Sequence, residues 1–138
     1  MNIDYRVNAP VSAAQFVAVL RASTLAQRRP VDDLACIQGM LDHANLTVSA
    51  WEGEELVGIA RSVTDFHYAC YLSDLAVDAR CQGRGIGRRL QALTQEQLGP
   101  HGKLILIAAP AANTYYAQLG MQNNPRCWVL ERDARLPQ

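Results

Sequence analysis

The sequence predicts a mixed α/β fold: one domain over residues 1–138, with a mostly antiparallel sheet of six to seven strands and helices on both faces. Three patterns carry that expectation. Segments with apolar residues at every second position alternate with segments whose apolar residues recur every third or fourth. Residues 46–66 read as two strands around the turn Glu52-Gly53-Glu54, an antiparallel pair. From 69 to 108 the order is strand, glycine-rich loop, helix, strand, and such a crossover makes its two strands parallel neighbours.

The elements follow in order. Ile3 to Val7 alternates apolar and polar side chains, as a short strand does. Pro10 opens a helix with Val11, Ala14, Val17, Ala18 and Leu20 along one stripe. Pro30 suits the first turn of a second helix, which carries Val31, Leu34, Ile37, Met40 and Leu41, with Asp32 and Asp33 early where the helix dipole favours acids. The hairpin follows, with Leu46, Val48 and Ala50 before its turn and Leu56, Val57 and Ile59 after it. A connection at Asp65-Phe66-His67 leads to the strand YACYLSDLAV. Leu90, Leu93 and Leu98 mark the next helix, which Gly99-Pro100 stops. KLILIAAP is nearly continuous in apolar residues, the pattern of a strand covered on both faces. PAANTYYAQLG reads as a short helix ended by Gly120, and CWVLERD as a final strand.

Bulk composition narrows the function. Thirteen basic and thirteen acidic residues give a formal net charge of zero, which argues against nucleic-acid binding through a general basic field. No apolar run approaches the roughly 20 residues of a membrane helix, and MNIDYRVNAP has no apolar signal core, so a cytoplasmic protein without a membrane partner is expected. Cys36, Cys70, Cys81 and Cys127 form no C-x-x-C pair and have no histidine at metal-like spacing. They read as small apolar fillers, with no metal expected. Asn45-Leu46-Thr47 has the form of a glycosylation sequon and reads as chance.

The most informative stretch is CQGRGIGRRL, residues 81–90. Gly83, Gly85 and Gly87 stand at every second position among Arg80, Arg84, Arg88 and Arg89. Glycines let backbone take unusual dihedrals or approach a ligand, and a helix start beside guanidinium groups favours an anion such as phosphate. The dinucleotide fingerprint G-x-G-x-x-G fails because position 88 is arginine. The Walker A pattern fails because no Gly-Lys-Ser/Thr follows.

Gln82-Gly83-Arg84-Gly85-Ile86-Gly87 resembles the Gln/Arg-x-x-Gly-x-Gly/Ala signature of the GNAT superfamily of N-acetyltransferases. Leu72 to Val77 resembles that family's fourth strand, and Tyr115-Tyr116-Ala117-Gln118-Leu119-Gly120-Met121 resembles its aromatic-Tyr-x-x-x-Gly-Phe pattern, with Met121 in place of the phenylalanine. The resemblance spans essentially the whole chain. It implies acetyl-CoA as cosubstrate. The pyrophosphate would meet the amides of Gly83, Arg84, Gly85, Ile86, Gly87 and Arg88, with Gln82 in the same signature. The pantetheine arm would pair with the backbone of Leu75, Ala76 and Val77, between the fourth and fifth strands.

The reaction implied is direct transfer of acetyl from the thioester to a primary amine of a small molecule, a protein N-terminus or a lysine. The departing thiolate gains from a proton donor, and Tyr116 matches the family's tyrosine in that role; its other reading is a packed aromatic. The amine must lose a proton, to a carboxylate or a water chain. Asp74 lies on the right strand for a base, and could instead face solvent or pin a turn. Asp65 and His67 could line the path of the amine. Asn113 reads first as a helix cap and second as a cofactor contact. Arg88 and Arg89 could be solvated helix residues instead of anion ligands. Cys70 and Cys81 lack a histidine partner beyond His67, which disfavours a covalent acetyl-cysteine route.

The alternative to an enzyme is a non-catalytic acyl-CoA-binding regulatory module that kept the cofactor site. In the family the acceptor is set by the region corresponding here to residues 20–45 and by the connection at 64–68. Asp32, Asp33 and Asp42 could attract a cationic amine there or lie on solvated helix faces. A homodimer through exposed strand edges is common among such folds.

Overall fold

The structure, a computed structural model, describes residues 2–138, which divide into two compact units, one up to Ile107 and one from Ala108 to Gln138. The first unit carries a five-stranded sheet in the order β1 (Asp4–Val7), β2 (Leu46–Glu52), β3 (Glu55–Thr64), β4 (Ala69–Val77), β5 (Lys103–Ile105). The first four strands are antiparallel neighbours, and β4 pairs with β5 in parallel, as the crossover requires. The hairpin turns at Gly53, whose φ of +60° a glycine adopts without strain. Asn45 closes the opposite end of that hairpin: its amide donates to the Thr64 carbonyl at 2.7 Å and accepts from the Thr64 N–H at 2.9 Å.

Three helices cover the sheet. On one face lie α1 (Ala13–Ala22) and α2 (Leu34–His43), with Phe16, Val19, Leu20 and Ile37 packed on Trp51, Leu56, Ile59 and Ala76. On the other lies α3 (Ile86–Glu96), with Ile86 and Leu90 among Val48, Ala50, Ala60 and Leu72. Ser12 and Gln15 form a reciprocal capping box at the start of α1, with bonds of 3.1 and 2.9 Å. Asp33 caps α2 by accepting from the Cys36 N–H at 3.0 Å. That helix therefore starts later than Pro30 suggests, and a separate 3-10 turn at Leu25–Arg28 lies between α1 and Pro30.

Gly58 fixes how closely α3 lies on the sheet. A Cβ built there would stand 3.2 Å from both the Ile86 and the Leu90 side chains. At the far end of the same helix, the Gly99 N–H donates to the Phe66 carbonyl at 2.8 Å, which ties α3 to the β3–β4 turn.

In the second unit, a 3-10 turn at Pro110–Ala112 precedes α4 (Asn113–Gln118). Gly120, at φ +81°, ends that helix, and the Met121 N–H donates to the Tyr116 carbonyl at 3.2 Å. Residues 122–138 form turns and irregular chain.

Three sequence expectations are corrected by the fold. The sheet has five strands, not six to seven: CWVLERD joins no ladder among the described residues, and apolar alternation without a hydrogen-bonded neighbour makes no strand. The run KLILIAAP yields only three strand residues at the edge of the sheet, and Ile105 and the following Ile107 are substantially exposed, so the run is not covered on both faces. The cysteines also divide. Cys70 and Cys81 are buried fillers, whereas Cys36 and Cys127 are exposed, and all four are free thiols.

Leu90 is wholly buried at the contact of α3 with the sheet. Leu90→Ala should lower unfolding free energy by about 3 kcal/mol through lost burial and a residual cavity, measurable by urea denaturation.

Candidate active site: the end of β4 and the start of α3

The site is built where β4 ends. Against β3, β4 is paired from Cys70 to Val77 apart from a bulge at Ser73, but β5 pairs only with Ala69, Cys70 and Tyr71. From Leu72 to Val77 the other backbone edge of β4 has no strand partner among the described residues. Pairing with β3 persists one step beyond the strand, where the Asp78 N–H donates to the Val57 carbonyl at 2.8 Å. The chain then makes a 3-10 turn, Ala79–Cys81, before the glycines.

Asp78 organises that turn. Its carboxylate accepts from the Arg80 N–H at 2.9 Å and from the Arg80 guanidinium at 2.8 to 3.3 Å. The guanidinium hydrogen bonds, aided by that backbone N–H and the positive charge, hold its pKa below the ordinary value despite burial. Arg80 also donates to Glu55 at 2.8 Å, and both acids raise its pKa. Arg80 thus braces the loop from behind. Gln82 folds back on the strand end, its amide donating to the Val77 carbonyl at 3.0 Å.

Gly83 and Gly85 both have φ of +80°, and a Cβ at either would meet no protein atom within 4 Å. Their requirement is therefore conformational: an L-residue would be strained there. Gly85 is the N-cap of α3, and no side chain caps this helix end. The first-turn amides of Ile86, Gly87 and Arg88 consequently have no acceptor within the helix, and the dipole concentrates positive potential there. Arg84, Arg88 and Arg89 are exposed around them. Open amides, a helix N-terminus and guanidinium groups suit a polyphosphate.

The residues expected to bind cofactor from Leu75 to Arg88 are contiguous along this strand end, loop and first helical turn. Asn113 and Tyr116 lie in the second unit. Asn113 is the first residue of α4, with Ala112 at the cap position and no side-chain cap bond, so it does not cap the start of α4. Tyr116 is partly buried and packs edge-to-face on Tyr115, with ring centroids 5.1 Å apart. Burial, and secondarily Tyr115, raises the Tyr116 pKa above the phenol value, so the hydroxyl carries its proton at neutral pH.

Asp74 has no exposed surface. Its two carboxylate oxygens accept from the Nε–H groups of Arg29 and Arg61. Sequence reasoning named Asp74 but missed both arginines. The signal was a single arginine inside the apolar stretch Ile59 to Val63, on a strand antiparallel to one with a single internal aspartate. Asp65 serves the β3–β4 turn itself. Its carboxylate accepts from the N–H groups of His67, Tyr68 and Ala69 at 2.8 to 3.0 Å, and these bonds lower its pKa. Burial, with the charges of Asp78 and Glu52, raises the Cys81 thiol pKa and keeps it protonated, the wrong state for a nucleophile. Among the described residues no group of three or more His, Cys, Asp or Glu side chains could hold a metal ion. No helix there is long and apolar enough to cross a membrane.

Residues 20–126 match the family model described as the acetyltransferase (GNAT) domain. The chain belongs to the GNAT acetyltransferase family. No curated protein sequence matches it. Among solved structures, the chain resembles a probable acetyltransferase from meticillin-resistant Staphylococcus aureus, with TM-score 0.74 and 17% identity, covering 96% of this chain and 100% of that one. Aminoglycoside N-acetyltransferase AAC(6')-Iy, solved in complex with CoA, aligns with TM-score 0.72 and 17% identity over 96% of each chain. A ribosomal-protein-alanine N-acetyltransferase from Brucella melitensis biovar Abortus aligns with TM-score 0.71 and 19% identity, over 94% of this chain and 99% of that one. At such identities these likenesses speak for the GNAT fold and leave the acceptor open.

Because the Asp78 pKa is lowered on folding, its stabilisation is present above the ordinary carboxyl value of 3.8 and is lost as pH falls through the lowered one. Asp78→Asn should therefore cost about 1–2 kcal/mol at pH 7. In denaturation series at several pH values, the gap from wild type should shrink below about pH 4.

Proposed function

We propose that this chain is an N-acetyltransferase that moves the acetyl group of acetyl-CoA directly to a primary amine of a small molecule, a protein N-terminus or a lysine. One observation carries the reading: a β4 edge, Leu72 to Val77, with no strand partner among the described residues runs into a glycine loop that opens α3 without a side-chain cap. The edge offers the amide pairing a pantetheine arm requires, and the loop offers the donors a pyrophosphate requires. Family membership supplies the acetyl chemistry.

In this reading the free amine attacks the thioester carbonyl. Negative charge gathers on the carbonyl oxygen, which a backbone N–H of β4 stabilises. The C–S bond then breaks and the thiolate takes a proton; the family resemblance alone assigns the donor role to the Tyr116 hydroxyl, which solvent reprotonates. The ammonium proton leaves through water. Asp74 is a poor base because both its oxygens are engaged by guanidinium groups and its side chain reaches no solvent. Asn113 is exposed on α4, and its assignment to the cofactor rests on the family resemblance alone.

Thermal unfolding tests the cofactor. Acetyl-CoA at about 100 times its dissociation constant should stabilise the wild-type protein by ~2.7 kcal/mol, and CoA should do likewise, while NAD and ATP should not. Gly85→Val should fold with about 1–2 kcal/mol less stability, because a β-branched residue is strained at φ +80°, and should lose the acetyl-CoA shift as the amides are re-aimed. An unchanged shift in that variant removes the loop from the site. No shift in the wild type removes the reading itself.

Tyr116→Phe should lower kcat about 100-fold and leave the acetyl-CoA dissociation constant nearly unchanged, as judged by thiol release and calorimetry. Equal rates would exclude the donor role. A cofactor shift without turnover of any amine would favour the non-catalytic acyl-CoA-binding module.

A further inference from the structure

The sheet face beneath α1 and α2 contains a charged cluster. Arg61 on β3 stands opposite Asp74 on β4 in the strand register. Arg29 reaches the same carboxylate from the segment between α1 and α2 and keeps 21% of its side chain exposed. The other guanidinium nitrogens are engaged as well. Arg29 donates to the Ser73 carbonyl at 2.7 Å and to the Arg28 carbonyl at 2.9 Å. Arg61 donates to the Ser73 hydroxyl at 3.0 Å and to the Met40 carbonyl in α2 at 3.1 Å. Each of these nitrogens is used inside the protein, so the cluster is built as a brace and not as a ligand pocket.

Ser73 is what the brace holds. Arg61 pairs with Asp74 and Ser62 with Leu72, so Ser73 is the extra residue of a β-bulge and has no partner on β3. Its carbonyl and hydroxyl are taken instead by the two arginines. The bulge sits where β4 loses β5 and its free edge begins. A buried ion cluster is a weak source of net stability, because desolvating three charges offsets most of their attraction. Its geometry, in contrast, is exacting: two planar forks fix one carboxylate, one carbonyl and one hydroxyl together.

We propose that Arg29, Asp74 and Arg61 are positioning residues for acetyl transfer. They hold the Ser73 bulge in one conformation, which aims the β4 backbone at the reacting carbonyl, and they latch segment 25–33, on the acceptor side, to that strand. The assignment rests on the acetyltransferase reading above.

Arg29→Met is the informative variant, because Arg61 and Asp74 stay paired and the lost guanidinium is the outer one. Hydrogen exchange read by mass spectrometry should quicken about tenfold or more in peptides covering 25–33 and 70–77, and stay unchanged in 46–52. The rate probe is the primary amine that gives the fastest thiol release with wild type, from a panel of amino acid, polyamine, aminoglycoside and peptide N-terminus. With it, kcat should fall about 10- to 100-fold while the acetyl-CoA dissociation constant stays within about threefold. Arg29→Lys should recover only part of the rate, since an ammonium keeps the charge on Asp74 but does not span to the Ser73 carbonyl. Unchanged kcat with a lowered melting temperature would reduce the cluster to a stability element and overturn the proposal. Exchange that is unchanged, or uniformly faster across the sheet, would overturn it too. A wild-type protein that neither binds acetyl-CoA nor releases thiol would instead sink the acetyltransferase reading, with the brace judged by exchange alone.

Discussion

Backbone hydrogen bonding along β4 is the constraint on which the rest of this molecule depends. A strand inside a sheet needs partners on both edges, and β4 has one on the β3 side everywhere but the Ser73 bulge from Cys70 onward, and one on the β5 side for only three residues. The pairing with β3 carries past the strand to Asp78, so the strand end is hydrogen-bonded up to the point where the loop begins. The loop continues that anchoring through Asp78, Arg80 and Gln82, and only then do the glycines turn the chain into α3. An open edge and an open helix end thus follow one another on a continuous, well-anchored piece of backbone.

The two faces of the sheet are secured by different forces. On the α3 face the contacts are apolar and close, with Gly58 admitting Ile86 and Leu90 so near that a Cβ there would require those side chains to shift. On the α1 and α2 face an apolar cluster is supplemented by Arg61, which contacts the Met40 carbonyl and lies over the Phe16 ring at 6.0 Å. Apolar packing resists deformation in all directions but discriminates weakly among orientations. Directed hydrogen bonds from guanidinium groups select one orientation. The helix that presents amides is held by the first kind of force, and the segment facing the other side by the second.

Much of this was legible in the sequence. The hairpin at Gly53, the parallel crossover and the glycine loop each have a local signature: a turn residue between alternating strands, a strand–helix–strand spacing, and glycines whose positive φ is a backbone need. The 3-10 turn at Leu25–Arg28 was not, because nothing periodic marks four residues that are fixed by what surrounds them. The segment at Cys127 has strand-like residues, but a strand is defined by its neighbour, and no ladder partner is written in its own composition. The two arginines on Asp74 come from positions 45 and 13 residues away, and only the folded register joins them to it.

The two tryptophans fall at opposite extremes of solvent contact. Trp51 is buried on the sheet, donating its indole N–H to Ser49 at 2.8 Å beneath the Arg6 guanidinium, whereas Trp128 is 91% exposed. Each unit therefore carries one tryptophan of its own, shielded from solvent in the first and open to quenchers in the second. Collisional quenching by iodide silences one emission and leaves the other, so loss of structure in the sheet can be followed optically without a label and separately from events in the C-terminal segment.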